Sequence, residues 1–497
     1  MPREYPISFS QMDGGVNYAL PQNLIPNNDL AGALNFFYDP LTGQPMTRDG
    51  VSRYSTTGVG TNPNGLFFSS ILNKWLVAES GTLYYLDAST KAYVSIGALN
   101  GSAKPHFLDF NSKVLIASGG VIESTNGLTL ADVANAPTSY KIMAFGGRVV
   151  SSGATAAPHR MSLSAPGDET EWSTVAPADG QEFEIDLNVG DGITDFNIYA
   201  GDIFVFKGPE QRGIYQLVIP SGDYSTAYVK PISNINSSIN WHTSINANNN
   251  LYFVDNNGWK SLKGVQNYGD IEQDPIGAKI NGVITPSIDK AQAFLFSNPF
   301  YSQIWLKYAD VQTLYAFHYL MNKGKGAFLP QEFKDLNVCS ACYAEDARYL
   351  LIGMDDGYIY KLDRTLYTDN GVDSPGFFLT KRATMQSANI TKKLFQTAFA
   401  YQGISDGTVT LEALTDGGTK TATLVNTSIT TGSDLLYEAT GYLNDATELL
   451  YGETLQSNMS RKMIWHYDLQ YQVSVNSGAL KLDRLEALVN IWGRRQI

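Results

Sequence analysis

The sequence predicts an all-β fold: a β-propeller followed by a C-terminal β-sandwich-like platform. Three observations predict it. A short phrase recurs, made of an aromatic-rich strand, an Asn/Asp/Gly turn and a second strand. It is clearest in LFFSSILNKWLVAESGTLYYLD (66–87), LYFVDNNGWKSL (251–262) and YLLIGMDDGYIYKLD (349–363). Alternating apolar residues joined by NG- or DG-type turns form antiparallel hairpins, because Asn, Asp and Gly tolerate the positive φ of such turns. The phrase returns at roughly 40–50-residue spacing, the period of propeller blades. Composition agrees: 12% of residues are aromatic, with 29 Tyr against 23 Phe, only 17% are charged, and 45 Gly supply the turns. Tyr suits half-buried strands that keep one polar end wet.

At 497 residues the chain exceeds one ordinary core, so more than one domain is expected. Residues 1–61 read as an extended arm joining the platform. Pro21, Pro26, Pro40 and Pro45 interrupt any long element there. A short helix is expected near 28–34, capped by Asn27 or Asn28, followed by a hairpin through YDPLTGQPMTRDG.

Residues 62–375 carry the hairpin grammar of the propeller. The first blade has strands near 65–70, 74–79, 82–87 and 92–97. Others run through 106–125, 140–153 (with an insertion through SAPGDETEWSTVAPADG), 193–219, 240–262, 293–320 and 337–363. That makes about seven blades, with six left open by the irregular 190–290 stretch. No WD dipeptide or kelch double glycine marks them. After Ser374-Pro375-Gly376, residues 376–497 become richer in Thr, Ser and Gly, as in a small antiparallel sandwich. Here 393–425 reads as strand, long turn, strand, DGG hairpin, strand, and 465–493 as three more strands.

Charge and targeting signals narrow the function classes. The net charge is −13. TKRAT (380–384), TKK (391–393) and the terminal WGRRQI are the densest basic stretches. Gripping DNA phosphate takes denser cation clusters, so sequence-specific DNA binding is not expected. No apolar segment has the length of a signal peptide core or a membrane span. The expectation is a protein of the cytoplasm, or one assembled there and released by lysis.

The residues that carry chemistry are dispersed. Cys339 and Cys342 form a lone CSAC in a strand-like run (336–344), without the second CxxC or nearby His of a zinc site. His106, His159, His242, His318 and His466 are scattered, outside any HExxH pattern. No GxSxG elbow occurs, and the glycines of GVGTNPNG and GGTKTAT sit in turns rather than before a helix. Glycoside cleavage needs two carboxylates across a pocket. The candidates are Asp109, Asp168, Glu169, Glu171, Asp195, Asp255, Asp355 and Asp356, most of them in turns that Asp favours for local reasons. The regular placement of Trp75, Trp259 and Trp305 fits packing between blades better than sugar stacking. No catalytic, cofactor-binding or metal residue is therefore assigned, no cofactor is expected, and the chain reads as a non-enzyme.

Three stretches resemble the hub (nozzle, or DNA-stabilisation) proteins of short-tailed bacteriophages. They are FSQMDGGVNYALPQNLIPNNDLAGALNFFYDPLTGQPMTRDGVSRY (9–54) with its Arg-Asp-Gly hairpin exit, RMSLSAPGDETEW (160–172), and WHTSINANNNLYFVDNNGWKSL (241–262). The resemblance implies a structural virion protein of the phage tail, a homo-oligomeric ring, as a hexamer, below portal and adaptor proteins. Such a ring closes the head-to-tail channel, retains packaged double-stranded DNA and passes it during ejection, bearing tail fibres, spikes or a needle. It is assembled in the host cytoplasm, and no residue roles carry over. The alternative is a carbohydrate-binding or glycan-hydrolysing propeller protein.

Overall fold

A computed structural model describes residues 3–491 except 10–11, 176–178, 188–190, 209–212, 235, 265–270, 275, 285–291, 309–310, 346–347, 385–391, 416–419, 430–454, 461–463 and 467. Seven sheets of four or more antiparallel strands stand around one axis, and a further ten-stranded sheet curls into a half-barrel beside them. Blade one is Gly65–Ser69, Lys74–Glu79, Thr82–Leu86 and Tyr93–Ala98. Blades two to six span 106–132, 141–184, 193–233, 244–274 and 294–331. The first strand of each blade touches the first strand of the next all the way round, so these seven strands line the axis. The all-β propeller reading holds, and the blade number is seven.

The ring is closed by a strand from the N-terminal arm. In the arm, β1 is Arg3–Ser8, β2 Leu30–Leu34, β3 Phe36–Tyr38, β4 Pro45–Thr47 and β5 Gly50–Arg53. Blade seven takes Val338–Ala344, Tyr349–Met354 and Ile359–Asp363 from one end of the chain, and β5 pairs antiparallel with Ile359–Asp363 as its fourth strand. The rest of the arm goes elsewhere. β1 pairs with 486–491, β2 with Gly376–Thr380, and β4 touches Lys481, all in the half-barrel. The arm thus stitches both modules with backbone hydrogen bonds. Apolar packing joins them too: Phe9, Phe36, Tyr401 and Tyr471 share one core with Trp259, Phe317 and Phe328 of blades five and six.

Two local expectations are corrected. The helix expected near 28–34 is the strand β2, with Leu30, Ala31 and Ala33 buried. A helix so short is marginal by itself, whereas the edge of Gly376–Thr380 satisfies its backbone groups directly. The turns expected inside 393–415 and 465–491 are absent as chain reversals. Lys392–Thr415 and Leu469–Ile491 are single strands of 24 and 23 residues paired along most of their length. The turn-forming residues act as facing bulges instead. Register slips around Gly403–Val409 opposite Val475–Leu480, and a Cβ on Gly478, at φ +71°, would stand 2.3 Å from the Asp406 carbonyl oxygen. Bulges bend and twist a long strand, which accounts for the curl of the sheet.

The joint of arm, propeller and half-barrel is Arg48-Asp49-Gly50. Arg48 is 2% exposed, yet each of its three side-chain nitrogens has a hydrogen-bond partner. Its Nη2 meets Asp369 Oδ2 at 2.6 Å, Ser374 Oγ at 2.7 Å and the Glu332 carbonyl at 2.7 Å. Nε donates to Asn35 Oδ1 and Nη1 to the Asp49 carbonyl. The guanidinium lies 4.4 Å over the Phe333 ring. Asp49 accepts the Tyr301 hydroxyl at 2.7 Å, and burial pushes its carboxyl up to about 6 against the opposing pull of that bond and of Arg364 and Arg48. Gly50 opens β5 where a Cβ would stand 2.2 Å from the Thr368 carbonyl oxygen.

Arg48→Ala is expected to lower unfolding free energy by about 3–5 kcal/mol, because it strands the buried Asp369 carboxylate; urea unfolding measures this, and a loss under about 1 kcal/mol would contradict the role given to the joint. Asp49 favours its protonated form in the fold, so its contribution is full at low pH and is lost as pH rises through about 6. Asp49→Asn, which retains an acceptor for Tyr301, should stabilise by about 1–3 kcal/mol at pH 8 and by nothing below pH about 4. Equal stabilisation at both pH values would show that ionisation is not the cause.

Candidate functional site

The candidate site is the propeller axis, because the blade topology brings polar side chains from distant parts of the sequence together there. In each blade the connection into the first strand and the hairpin between the second and third strands open on the same face. On that face a cavity of about 900 Å³ lies between residues 61–64, 101–104, 118–119, 140, 292–294, 337–339 and 355. Blades one, two, three, six and seven therefore contribute to its wall.

Across the axis a segment before blade five meets blade two. His106 and His242 stack with ring centroids 4.2 Å apart and planes within 3°. His106 Nε2 lies 2.8 Å from the Trp241 carbonyl, and His242 Nε2 lies 2.9 Å from the Lys104 carbonyl. A carbonyl can only accept, so both rings carry their proton on Nε2. Each histidine thus binds the backbone beside the other, a reciprocal clasp between blades two and five. Burial pushes His106 down to about 3, helped by the Lys141 charge. It also holds His242 well below the usual imidazole range, helped by His106 and Lys104. The clasp is a pair of neutral imidazoles. Beside it, Tyr140 stacks on Trp241 at 5.7 Å.

The charged side chains near the axis are engaged within the walls, one pair by charge and the others by neutral groups. Lys141 Nζ and Asp195 Oδ1 lie 2.6 Å apart with side chains 4% and 0% exposed, and Asp195 Oδ2 also accepts from Ser238. Burial raises the Asp195 carboxyl and Lys141 opposes it. Lys104 Nζ donates to the Cys339 carbonyl at 2.7 Å and sits 3.7 Å over the Phe294 ring. Enclosure pushes its ammonium down to about 7. Asp355 accepts from the Asn337 backbone N–H at 2.9 Å and from its side-chain amide at 3.0 Å.

The other residues singled out in the sequence have local roles. Asp109 holds the Ser69 and Ser70 hydroxyls, Asp168 binds Thr170, Glu169 accepts from Asn111, and Glu171 accepts from the Ser173 backbone. Asp255 pairs with Lys260, and Asp356 accepts from Tyr360. Of the eight acids only Asp355 lines the cavity. Cys339 and Cys342 are free thiols on one strand, both pushed up to about 11 by burial. His159 meets Lys207, and His318 is buried against Gln303, Phe37 and Tyr38. His466 lies on Ile464–His466, with its side chain outside the described residues. Trp75 stacks on Tyr349 of blade seven, and Trp259 packs on Phe317 and Phe328 of blade six. Trp305 lies in the core shared by blades six and seven. These indoles are interblade packing.

Sequence reasoning missed the histidine clasp and the cavity. The available signal was positional: Lys104-Pro105-His106 and Trp241-His242 both stand at the start of a blade's first strand, as do Tyr140-Lys141. Blades this divergent do not align well enough to display it.

No family model and no curated protein matches the sequence. Among solved structures, the chain is similar to BamB from Moraxella catarrhalis, with 13% identity, a TM-score of 0.39, and coverage of 64% of this chain and 90% of that one. It is similar to YCF48 from Cyanidioschyzon merolae at 9% identity and TM-score 0.43, covering 63% and 98%. The extracellular domain of the hybrid two-component system BT4673 from B. thetaiotaomicron gives 11% and 0.46, covering 84% and 62%. These likenesses concern the fold alone.

An unfolded chain protonates its histidines near 6.5, whereas the clasp keeps both neutral; their contribution is present above that pH and is lost as pH falls toward 3. His106→Gln, which retains a donor for the Trp241 carbonyl, should make the decline of unfolding free energy between pH 6.5 and 4 shallower by up to about one bound proton. Identical pH slopes in the two proteins would remove the neutral clasp from the account.

Proposed function

We propose that this chain is a structural virion protein, a tail hub or nozzle that forms a ring at the head-to-tail channel and works without catalysis. The observation that supports this reading is the stitching of two modules by one arm. β1, β2 and β4 lie in the half-barrel while β5 closes the propeller. A component that closes a pressurised channel has to carry load between its parts, and backbone ladders on both sides of Arg48 spread that load over many hydrogen bonds. The Arg-Asp-Gly exit that carries part of the resemblance is the joint itself.

The long strand Lys420–Ile429 lies at one end of the half-barrel's strand order, and strand edges of this kind suit contacts between copies. The net charge of −13 suits a wall past which DNA moves without sticking. In this reading the partners are five further copies, portal and adaptor proteins above, and fibres, spikes or a needle below. The place of action is the virion, after assembly in the host cytoplasm.

Mass measurement of the purified full chain, alone and mixed with portal–adaptor complexes, tests the reading. A closed ring of defined order, or addition of a ring to the complex, is expected. A strict monomer that ignores the complex would overturn it.

A further inference from the structure

We propose that Lys260 and Asn236 join in an intramolecular isopeptide bond, a self-modification assisted by Asp255. The three side chains come from two chain segments and meet between blades four and five. Asn236 lies on the connection that leaves blade four after Tyr228–Ser233, and it is 4% exposed. Asp255 and Lys260 flank the turn of blade five's hairpin, Asn250–Asp255 with Gly258–Gly264. Phe253 stands opposite Lys260 and Asp255 opposite Gly258, so Asp255 and Lys260 are diagonal neighbours on one face. Leu251, Phe253 and Leu262 of the same face share a core with Phe204 and Phe206 of blade four.

Lys260 Nζ touches two groups at once. It lies 2.5 Å from Asp255 Oδ2, where the lysine side chain is 15% exposed and the carboxylate 0%. It also donates to Asn236 Oδ1. The Asn257 backbone N–H holds Asp255 Oδ1 at 2.6 Å, which leaves Oδ2 for the lysine. Asn236 directs its Nδ2 to the Ser233 hydroxyl at 3.4 Å, so its oxygen is the atom that faces Lys260. A lysine–carboxylate pair alone is a structural contact. The buried carboxamide adds an acyl carbon next to the amine, held in position by the fold, and that is the geometry of an intramolecular reaction. Other buried lysines are placed differently. At the Lys141–Asp195 pair the carboxylate meets a serine hydroxyl. At Lys279–Asp29, Asn17 presents its amide nitrogen to the carboxylate.

Proton transfer from the Lys260 ammonium to Asp255 across their hydrogen bond gives a neutral amine and a carboxylic acid. The amine's lone pair forms the new bond to Asn236 Cγ, and the carbonyl electron pair moves onto Oδ1. When that double bond re-forms, the Cγ–Nδ2 bond breaks. Nδ2 leaves as ammonium, taking one proton from the former lysine nitrogen and the other from Asp255, which returns to carboxylate. One ammonium ion is released for each bond formed, and no oxidant or cofactor enters. The low exposure of Asn236 limits competing attack by water. The link fastens the connector between blades four and five onto blade five's own hairpin and closes the loop 236–260, which restricts the unfolded chain. It needs no second copy of the chain, so it stands or falls separately from the hub reading.

The test is mass spectrometry of the full chain, purified folded and then denatured. It is expected to weigh one ammonia less than its sequence. A succinimide at an asparagine loses the same mass, so peptide mapping identifies the bond. Trypsin should fail to cut after Lys260, and chymotrypsin, cutting at Trp241 and Tyr252, should release a branched peptide that joins Asn236 to Lys260. Lys260→Arg, which keeps a cation for Asp255, should have its full sequence mass. Asp255→Asn should slow linkage by about 100-fold or more, the worth of general acid–base assistance; undiminished linkage there would overturn the part given to Asp255. The inference is overturned by a native chain of full sequence mass, by ordinary tryptic cleavage after Lys260, or by a mass loss that survives in Lys260→Arg. The first two outcomes are read on the native chain alone, so they decide the matter even where a variant fails to fold.

Discussion

The architecture depends on a single buried cation. Arg48 sits where the arm leaves the half-barrel and becomes the closing strand of the propeller, and its guanidinium binds Asn35 of the arm, Glu332 after blade six, and Asp369 and Ser374 of the linker beyond blade seven. These four partners lie in three separate chain segments. A guanidinium suits such a joint because it spreads several donors over a rigid plane and carries less hydration than an ammonium. Its desolvation is offset by the Asp369 carboxylate and by the carbonyls, and each nitrogen of the plane meets an acceptor. Asp49 beside it has the opposite character. One of its oxygens is satisfied by Tyr301, the other has no partner among the described residues, and its raised carboxyl reflects that imbalance.

The propeller axis solves a different electrostatic problem. Seven first strands converge there, and each brings polar groups that cannot all reach bulk water. The protein neutralises them in pairs. Lys141 meets Asp195, Lys104 meets a carbonyl and a ring, and the two imidazoles give up their charge altogether and bind backbone. Side chains from blades two and five therefore meet across the diameter, which ties together strands more than a hundred residues apart.

Legibility differed between the modules for a physical reason. In blade one, turn residues sit between short strands whose alternation is clear, and the strands fall within a residue or two of their expected places. In the half-barrel, GISDGT (403–408) and VNSGA (475–479) have the same turn chemistry, yet they lie opposite one another in two strands that continue through them. Gly and Asp permit a reversal and a bulge alike. The choice was made by pairing, since the two segments satisfy one another's backbone groups across the sheet. The same competition turned LAGAL from an expected helix into the strand β2. The axial site was less legible still, because its members are spaced one blade or more apart and gain meaning only when the ring closes.

What the sequence determined by itself was local: period-2 apolar alternation, turn chemistry at regular spacing, and hence a wheel of hairpins with a second β module. Those features arise from backbone sterics and from the burial of one strand face, both of which act over a few residues. Which strand closes the wheel, where the long strands bend, and which histidines meet were decided only by the tertiary structure. Each of these depends on two distant segments satisfying one another's hydrogen bonds or charges, and a linear pattern does not encode which distant partner that will be.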